Sequence, residues 1–128
     1  METGKPRKIF IVDDDTMLTE ALKDRITRNI PHTVSVFHIG EECLKHLYDN
    51  PDVIVLDYYL NTVNKDAANG MEILKEIKKY DPAIHVILLS SQENYRIALQ
   101  SIQKGAEQYV IKDENAFEKV AGMINGFN

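Results

Sequence analysis

Short apolar runs, each ending on a polar residue, recur along the chain: 8–12 (KIFIV), 33–38 (TVSVFH), the run that closes on Asp57, 84–89 (IHVILL) and 108–111 (QYVI). Val53, Ile54, Val55 and Leu56 before Asp57 are apolar on both faces and rich in β-branching, as in a strand buried on both sides of a parallel sheet. The run at 33–38 alternates Val34, Val36 and His38 against Ser35 and Phe37 and is the weakest strand pattern.

Helical periodicity fills the intervals. Residues 16–29 set Leu18, Leu22 and Ile26 four apart, flanked by Ala21 and Arg25, with Asp15 or Thr16 as N-cap and Pro31 beyond the end. Gly40 opens a short helix with Cys43, Leu44, Leu47 and Tyr48 on its apolar face, ending near Asn50 and Pro51. Gly70 opens another with Ile73, Leu74 and Ile77; a fourth at 93–106 carries Ile97, Ala98 and Ile102 and stops at Gly105; residues 116–127 close the chain as a frayed helix. Only 58–69 lacks a period. This polar stretch predicts a loop long for a strand-to-helix connection, usually about 2 to 6 residues.

Alternating strands and helices predict parallel strands joined by right-handed crossovers, a doubly wound α/β fold over a single domain, 1–128. The flavodoxin-like strand order 2-1-3-4-5 suits that count. It places ligands at the carboxyl ends of the first and third strands.

Composition removes several function classes. The 44% hydrophobic content is that of an ordinary globular domain, and the net charge of −5, with no basic block, disfavours direct nucleic acid binding. No apolar stretch approaches the roughly 20 residues that span a bilayer, and METGKPRKIF has no secretory pattern, so no membrane association and a cytoplasmic location are expected. Cys43 is the only cysteine, which leaves no internal disulfide and no thiolate metal cage. His32, His38, His46 and His85 share no spacing and are read as structural or surface residues.

The predicted strand ends carry the chemistry: Asp13 and Asp14 after the first, Asp57 after the third, Ser90 and Ser91 after the fourth, Lys112 after the fifth. One such Asp is commonly a cap on backbone amides. Three carboxylates meeting at one place repel each other unless a cation lies between them, and oxygen donors suit magnesium. Lys112 and Ser90 supply a positive charge and a hydroxyl suited to phosphoryl oxygens.

In this ordered set (Asp13-Asp14, Asp57, Ser90, Tyr109, Lys112) the chain resembles, over essentially its whole length, the receiver domains of two-component response regulators. The resemblance implies that Asp57 accepts a phosphoryl group from a phosphohistidine on a sensor histidine kinase or phosphotransfer protein. It implies magnesium at Asp14, Asp57 and the backbone carbonyl of Tyr59, with Asp13 acting through water. It also implies that Lys112 and Ser90 grip phosphoryl oxygens and that Ser90 and Tyr109 act as the switch, reshaping the surface of the fourth helix, fifth strand and fifth helix. That surface is then the candidate contact for a downstream output protein or domain, or for a homodimer. Such a protein catalyses its own phosphorylation and dephosphorylation and does not turn over external substrates.

Two positions depart from the family pattern. Asn61 stands where proline is common, with Gly70 arriving late, so 58–69 carries an insertion; and Lys112 is followed by Asp113 where the family usually has a cis proline. Tyr59 and Gln92 hold positions that influence water attack on the phosphoaspartate in the family, and a bulky Tyr59 implies a long-lived phosphoform. Two alternatives stay open at this point. A haloacid-dehalogenase-like phosphatase would use an Asp nucleophile too, but its motif wants Thr or Val where Met17 stands; a receiver-shaped binding module would signal without phosphorylation.

Overall fold

The computed structural model describes residues 5–60 and 69–127. Most of the predicted 58–69 loop, including Asn61, lies outside the described residues.

The apolar runs become β1 (Lys8–Val12), β2 (Thr33–Phe37), β3 (Val53–Asp57), β4 (His85–Ser90) and β5 (Gln108–Ile111). They form one parallel sheet in the order β2-β1-β3-β4-β5, as predicted. Every residue of β3 is buried, which explains its unbroken apolar run. Val12 is in register with Leu56, and Asp57 with Leu89. The carboxyl ends of β1, β3 and β4 are thereby level, and the residues leaving these strands gather at one edge.

The helices are α1 (Thr16–Ile26), α2 (Gly40–Lys45), α3 (Gly70–Tyr80), α4 (Tyr95–Gln103) and α5 (Ala116–Gly126). Strand alternation divides the core between the two faces of the sheet. Phe10, Val12, Ile54, Leu56, Val86 and Leu88 pack with Cys43, Ile73, Leu74 and Ile77 of α2 and α3. Ile9, Ile11, Val53, Val55, Ile87 and Leu89 pack with Leu22 and Ile26 of α1 and Val120 and Ile124 of α5. Each fully buried aliphatic side chain contributes about 1.5–3 kcal/mol, so the two half-cores hold the sheet from both sides. Asp15 caps α1, accepting from the Leu18 N–H at 3.1 Å. Asn69 and Glu72 form a reciprocal capping box on α3.

Three helical faces differ from the sequence reading. Ala21 is exposed; Thr19 takes its place in the buried face of α1, its hydroxyl donating to the Thr16 carbonyl at 2.9 Å. The helix opened by Gly40 does not run on to Asn50. It gives way to a 3-10 turn at Leu47–Asp49, closed by Asn50 at φ 59°, because a residue before Pro51 disfavours the right-handed helical region. The tighter winding buries Leu47 and turns Tyr48 out to 66% exposure. On α4, Ile102 is 46% exposed while Ser101 is buried, since this helix covers the sheet edge through Ile97 and Ala98. Among the described residues, no helix is long and apolar enough to cross a membrane.

Candidate functional site

The level strand ends deliver Asp13 and Asp57 to one pocket. Asp13 leaves β1 with its N–H donating to the Phe37 carbonyl at 3.0 Å, and its own carbonyl faces His38 Nδ1 at 3.1 Å. Its carboxylate accepts from the Asp15 N–H at 2.9 Å through Oδ1 and from Lys112 Nζ at 2.8 Å through Oδ2. Asp57 Oδ1 lies 3.2 Å from the same Lys112 Nζ and accepts weakly from the Tyr59 N–H at 3.3 Å. Asp13 is 1% exposed and Asp57 4%. One oxygen each of Asp13, Asp14 and Asp57 lies within 4.8 Å of the others.

Burial pushes the Asp57 carboxyl up from its ordinary 3.8 to about 6; the charge of Asp13 adds to this, and Lys112 and the Tyr59 N–H offset part of it. For Lys112, burial works against the charge, but the hydrogen bond to Asp13 and the charges of Asp57 and Asp13 prevail and hold the ammonium above its ordinary range. Asp13 and Asp57 thus share the Lys112 ammonium, and one oxygen of Asp14 lies within 4.8 Å of both carboxylates. A cluster of carboxylate oxygens, two of its three residues buried, fits a hard divalent cation such as magnesium.

The second half of the predicted site converges on Gln92. Ser90 is fully buried at the end of β4; its Oγ donates to the Gln92 carbonyl at 3.0 Å and accepts from the Gln92 N–H at 3.1 Å. The Tyr109 hydroxyl donates to that same carbonyl at 2.8 Å, and the Tyr59 hydroxyl to Gln92 Oε1 at 3.0 Å. Ser90, Tyr109 and Tyr59 are thus joined through one residue, which the sequence marks only as a neighbour of the site. Lys112 is set in place by its own N–H, which donates to the Ser90 carbonyl at 2.8 Å, and the Lys112–Asp113 peptide is trans.

Gly70 also belongs to this architecture. Its N–H donates to the Tyr58 carbonyl at 2.8 Å, and a Cβ there would lie 2.6 Å from both the Asp57 carbonyl oxygen and Tyr58 Cα. Only glycine lets the first turn of α3 approach the acceptor loop this closely. Its place directly after an insertion was the available signal.

The comparisons with known proteins agree with this geometry. A family model described as "Response regulator receiver domain" matches residues 9–124. The chemotaxis protein CheY of Bacillus subtilis is 27% identical over 119 residues, covering 92% of this chain and 94% of that protein. The probable C4-dicarboxylate response regulator DctR of Bacillus subtilis is 33% identical over 110 residues, which are 84% of this chain but 46% of the regulator. The chain therefore spans nearly the full length of the chemotaxis relative and about half that of this larger regulator. Among solved structures, the BeF3-activated DrrB receiver domain superposes with a TM-score of 0.77 at 29% identity, covering 93% of this chain and 94% of its own.

Proposed function

This chain belongs to the response regulator receiver domain family, and on that premise we propose that it is a single phosphoacceptor domain, residues 1–128, whose acceptor is Asp57. The observation that carries the reading is the cluster of Asp13, Asp14 and Asp57, in which the buried Asp13 and Asp57 share Lys112.

An ionised Asp57 needs no general base. Its carboxylate oxygen attacks the phosphorus of a phosphohistidine on a histidine kinase or phosphotransfer protein, the P–N bond breaks, and the imidazole keeps the electron pair. Alignment and charge are the protein's contribution. Asp13, Asp14, Asp57 and the backbone carbonyl of Tyr59 are the residues that hold magnesium, and the bound ion supplies positive charge against the repulsion between carboxylate and phosphoryl oxygens. Lys112 supplies a second positive charge from the carboxyl end of β5, and Ser90 the hydroxyl donor.

The hydrogen-bonded node at Gln92 supports the switch. When Ser90 Oγ turns to a phosphoryl oxygen, its two bonds with Gln92 are given up, and Tyr109 is released from a carbonyl that the loop no longer holds in place. The surface beside Tyr109 is apolar: Tyr95 is 86% exposed, Leu99 55% and Ile102 46%. Such a patch suits an output partner or a second copy, whose docking then depends on Tyr109. Tyr59, tied across to Gln92, shields the acyl phosphate from water and lengthens its lifetime. The reaction takes place in the cytoplasm and is stoichiometric, with no turnover of an external substrate.

Fluoroberyllate, a mimic of an acyl phosphoryl group, tests this in the full chain by amide NMR. Magnesium and fluoroberyllate together are expected to shift residues 57–59, 88–92 and 109–112, and Asp57→Asn to abolish the response. Shifts that persist in that variant would overturn Asp57 as the acceptor.

A further inference from the structure

The strands that carry the acid site have opposite ends, and a second polar cavity of about 250 Å³ lies there, lined among others by Arg7, Asp52, Tyr80, Asp81 and His85. Arg7 precedes β1, Asp52 precedes β3 and His85 opens β4. A five-residue strand separates this cavity from the acid site by roughly 15 Å.

Arg7 is the unusual member. It is 7% exposed, and its buried Nε has no hydrogen-bond partner among the described residues. Its backbone is held on both sides: the N–H donates to His32 Nδ1 at 3.0 Å and the carbonyl accepts from the Thr33 N–H at 2.9 Å. A buried guanidinium donor without an acceptor is a costly arrangement, and a planar carboxylate matches its fork. The acids in the lining limit which anion fits. Asp52 Oδ2 accepts from the Lys8 N–H at 2.8 Å and Asp81 Oδ1 from the Ala83 N–H at 2.9 Å. Both carboxylates are therefore held in fixed orientation, and Asp81 also acts on the charge of Lys78. They disfavour a dianion and favour a ligand that brings its own positive charge beside one carboxylate. His85, bonded to Glu107 at 2.6 Å and stacked on Phe127 at 4.1 Å, makes a fixed wall.

We propose that this cavity is a binding site for a small α-amino acid, its carboxylate on the Arg7 guanidinium and its ammonium toward Asp52 and Asp81. The site shares no residue with the phosphoacceptor centre and stands independently of that function.

The test tracks the Arg7 Nε–H resonance of the full chain, labelled with nitrogen-15, during titration with glycine, acetate and inorganic phosphate. Glycine is expected to shift it saturably, with half-saturation at least about threefold below that of acetate, the effect of a partly exposed ion pair. Phosphate is expected to give no saturable shift. The double variant Asp52→Asn with Asp81→Asn keeps acceptors for the Lys8 and Ala83 N–H groups and is expected to remove glycine's advantage over acetate; Arg7→Gln is expected to abolish binding, read on neighbouring amides. No saturable shift with glycine, phosphate binding as tight as glycine, or an advantage that survives the double variant would each overturn the proposal.

Discussion

Asp57→Asn is expected to stabilise the protein when no metal is present, although it removes the residue at the centre of the site. The folded-state carboxyl titrates at about 6 against an ordinary 3.8, pushed up by burial and then by Asp13. That shift of about two units amounts to about 3 kcal/mol. Its sign is set by proton binding. Below the unfolded value both states hold the proton and the group is neutral to stability. Between the two values the folded state still holds a proton that the unfolded chain has released, so stability falls as pH rises. Above about 6 the whole cost is present. Asparagine keeps the shape and carries no charge at any pH, so at pH 7.5 in a chelator the variant is expected to be more stable by about 2–3 kcal/mol. For a chain of this size that is a rise in Tm of roughly 6–12 °C. Urea and thermal unfolding at pH 4 and pH 7.5 make the measurement, with the advantage expected to fall to about 0.5 kcal/mol at the lower pH. Magnesium at one hundred times Kd offsets this advantage by stabilising the native chain by about 2.7 kcal/mol, while the variant lacks a ligand. A variant less stable than the native chain at pH 7.5 without metal, or an advantage equal at both pH values, would refute the reasoning.

Three further substitutions test the surrounding structure. Gly70→Ala puts a methyl 2.6 Å from the Asp57 carbonyl oxygen and is expected to cost about 1–3 kcal/mol in urea unfolding; a loss below about 0.5 kcal/mol would show that the loop yields freely. Lys112→Met leaves Asp13 and Asp57 buried without their shared ammonium, with an expected loss of about 3 kcal/mol at neutral pH and a further rise of the Asp57 pKa, monitored by carbon-13 NMR of the carboxyl; an unchanged or lower value would contradict the assigned contact. Tyr59→Phe removes only the bond to Gln92 and is expected to shorten the phosphoform half-life up to about fivefold, the rate equivalent of about 1 kcal/mol, with Tyr59→Ala faster still. Half-lives equal in the native chain and Tyr59→Ala would exclude shielding by Tyr59.

The sheet and the acid cluster were legible in the sequence because parallel strands buried on both faces carry unbroken apolar runs, and the acids stand where those runs stop. Helical faces were less so. The positions of Ala21 and Thr19 differ by two residues, and a period of 3.6 does not say which of them turns toward the sheet when a threonine hydroxyl can satisfy itself on its own helix. The burial of Ile102 depends on how much of α4 the sheet edge covers, which is a property of packing and not of local pattern. Gln92 collects bonds from β4, β5 and the loop after β3, and such convergence exists only once the strands are assembled. Arg7 gave no signal at all, since a basic residue before a strand is ordinarily exposed.

The most direct test of the central reading is intact mass after incubation with magnesium and acetyl phosphate, comparing the native chain with Asp57→Asn. Gain of one phosphoryl group by the native chain alone is the expected result. Equal gain by both, or none by either once magnesium binding has been confirmed separately, would contradict Asp57 as the phosphoacceptor.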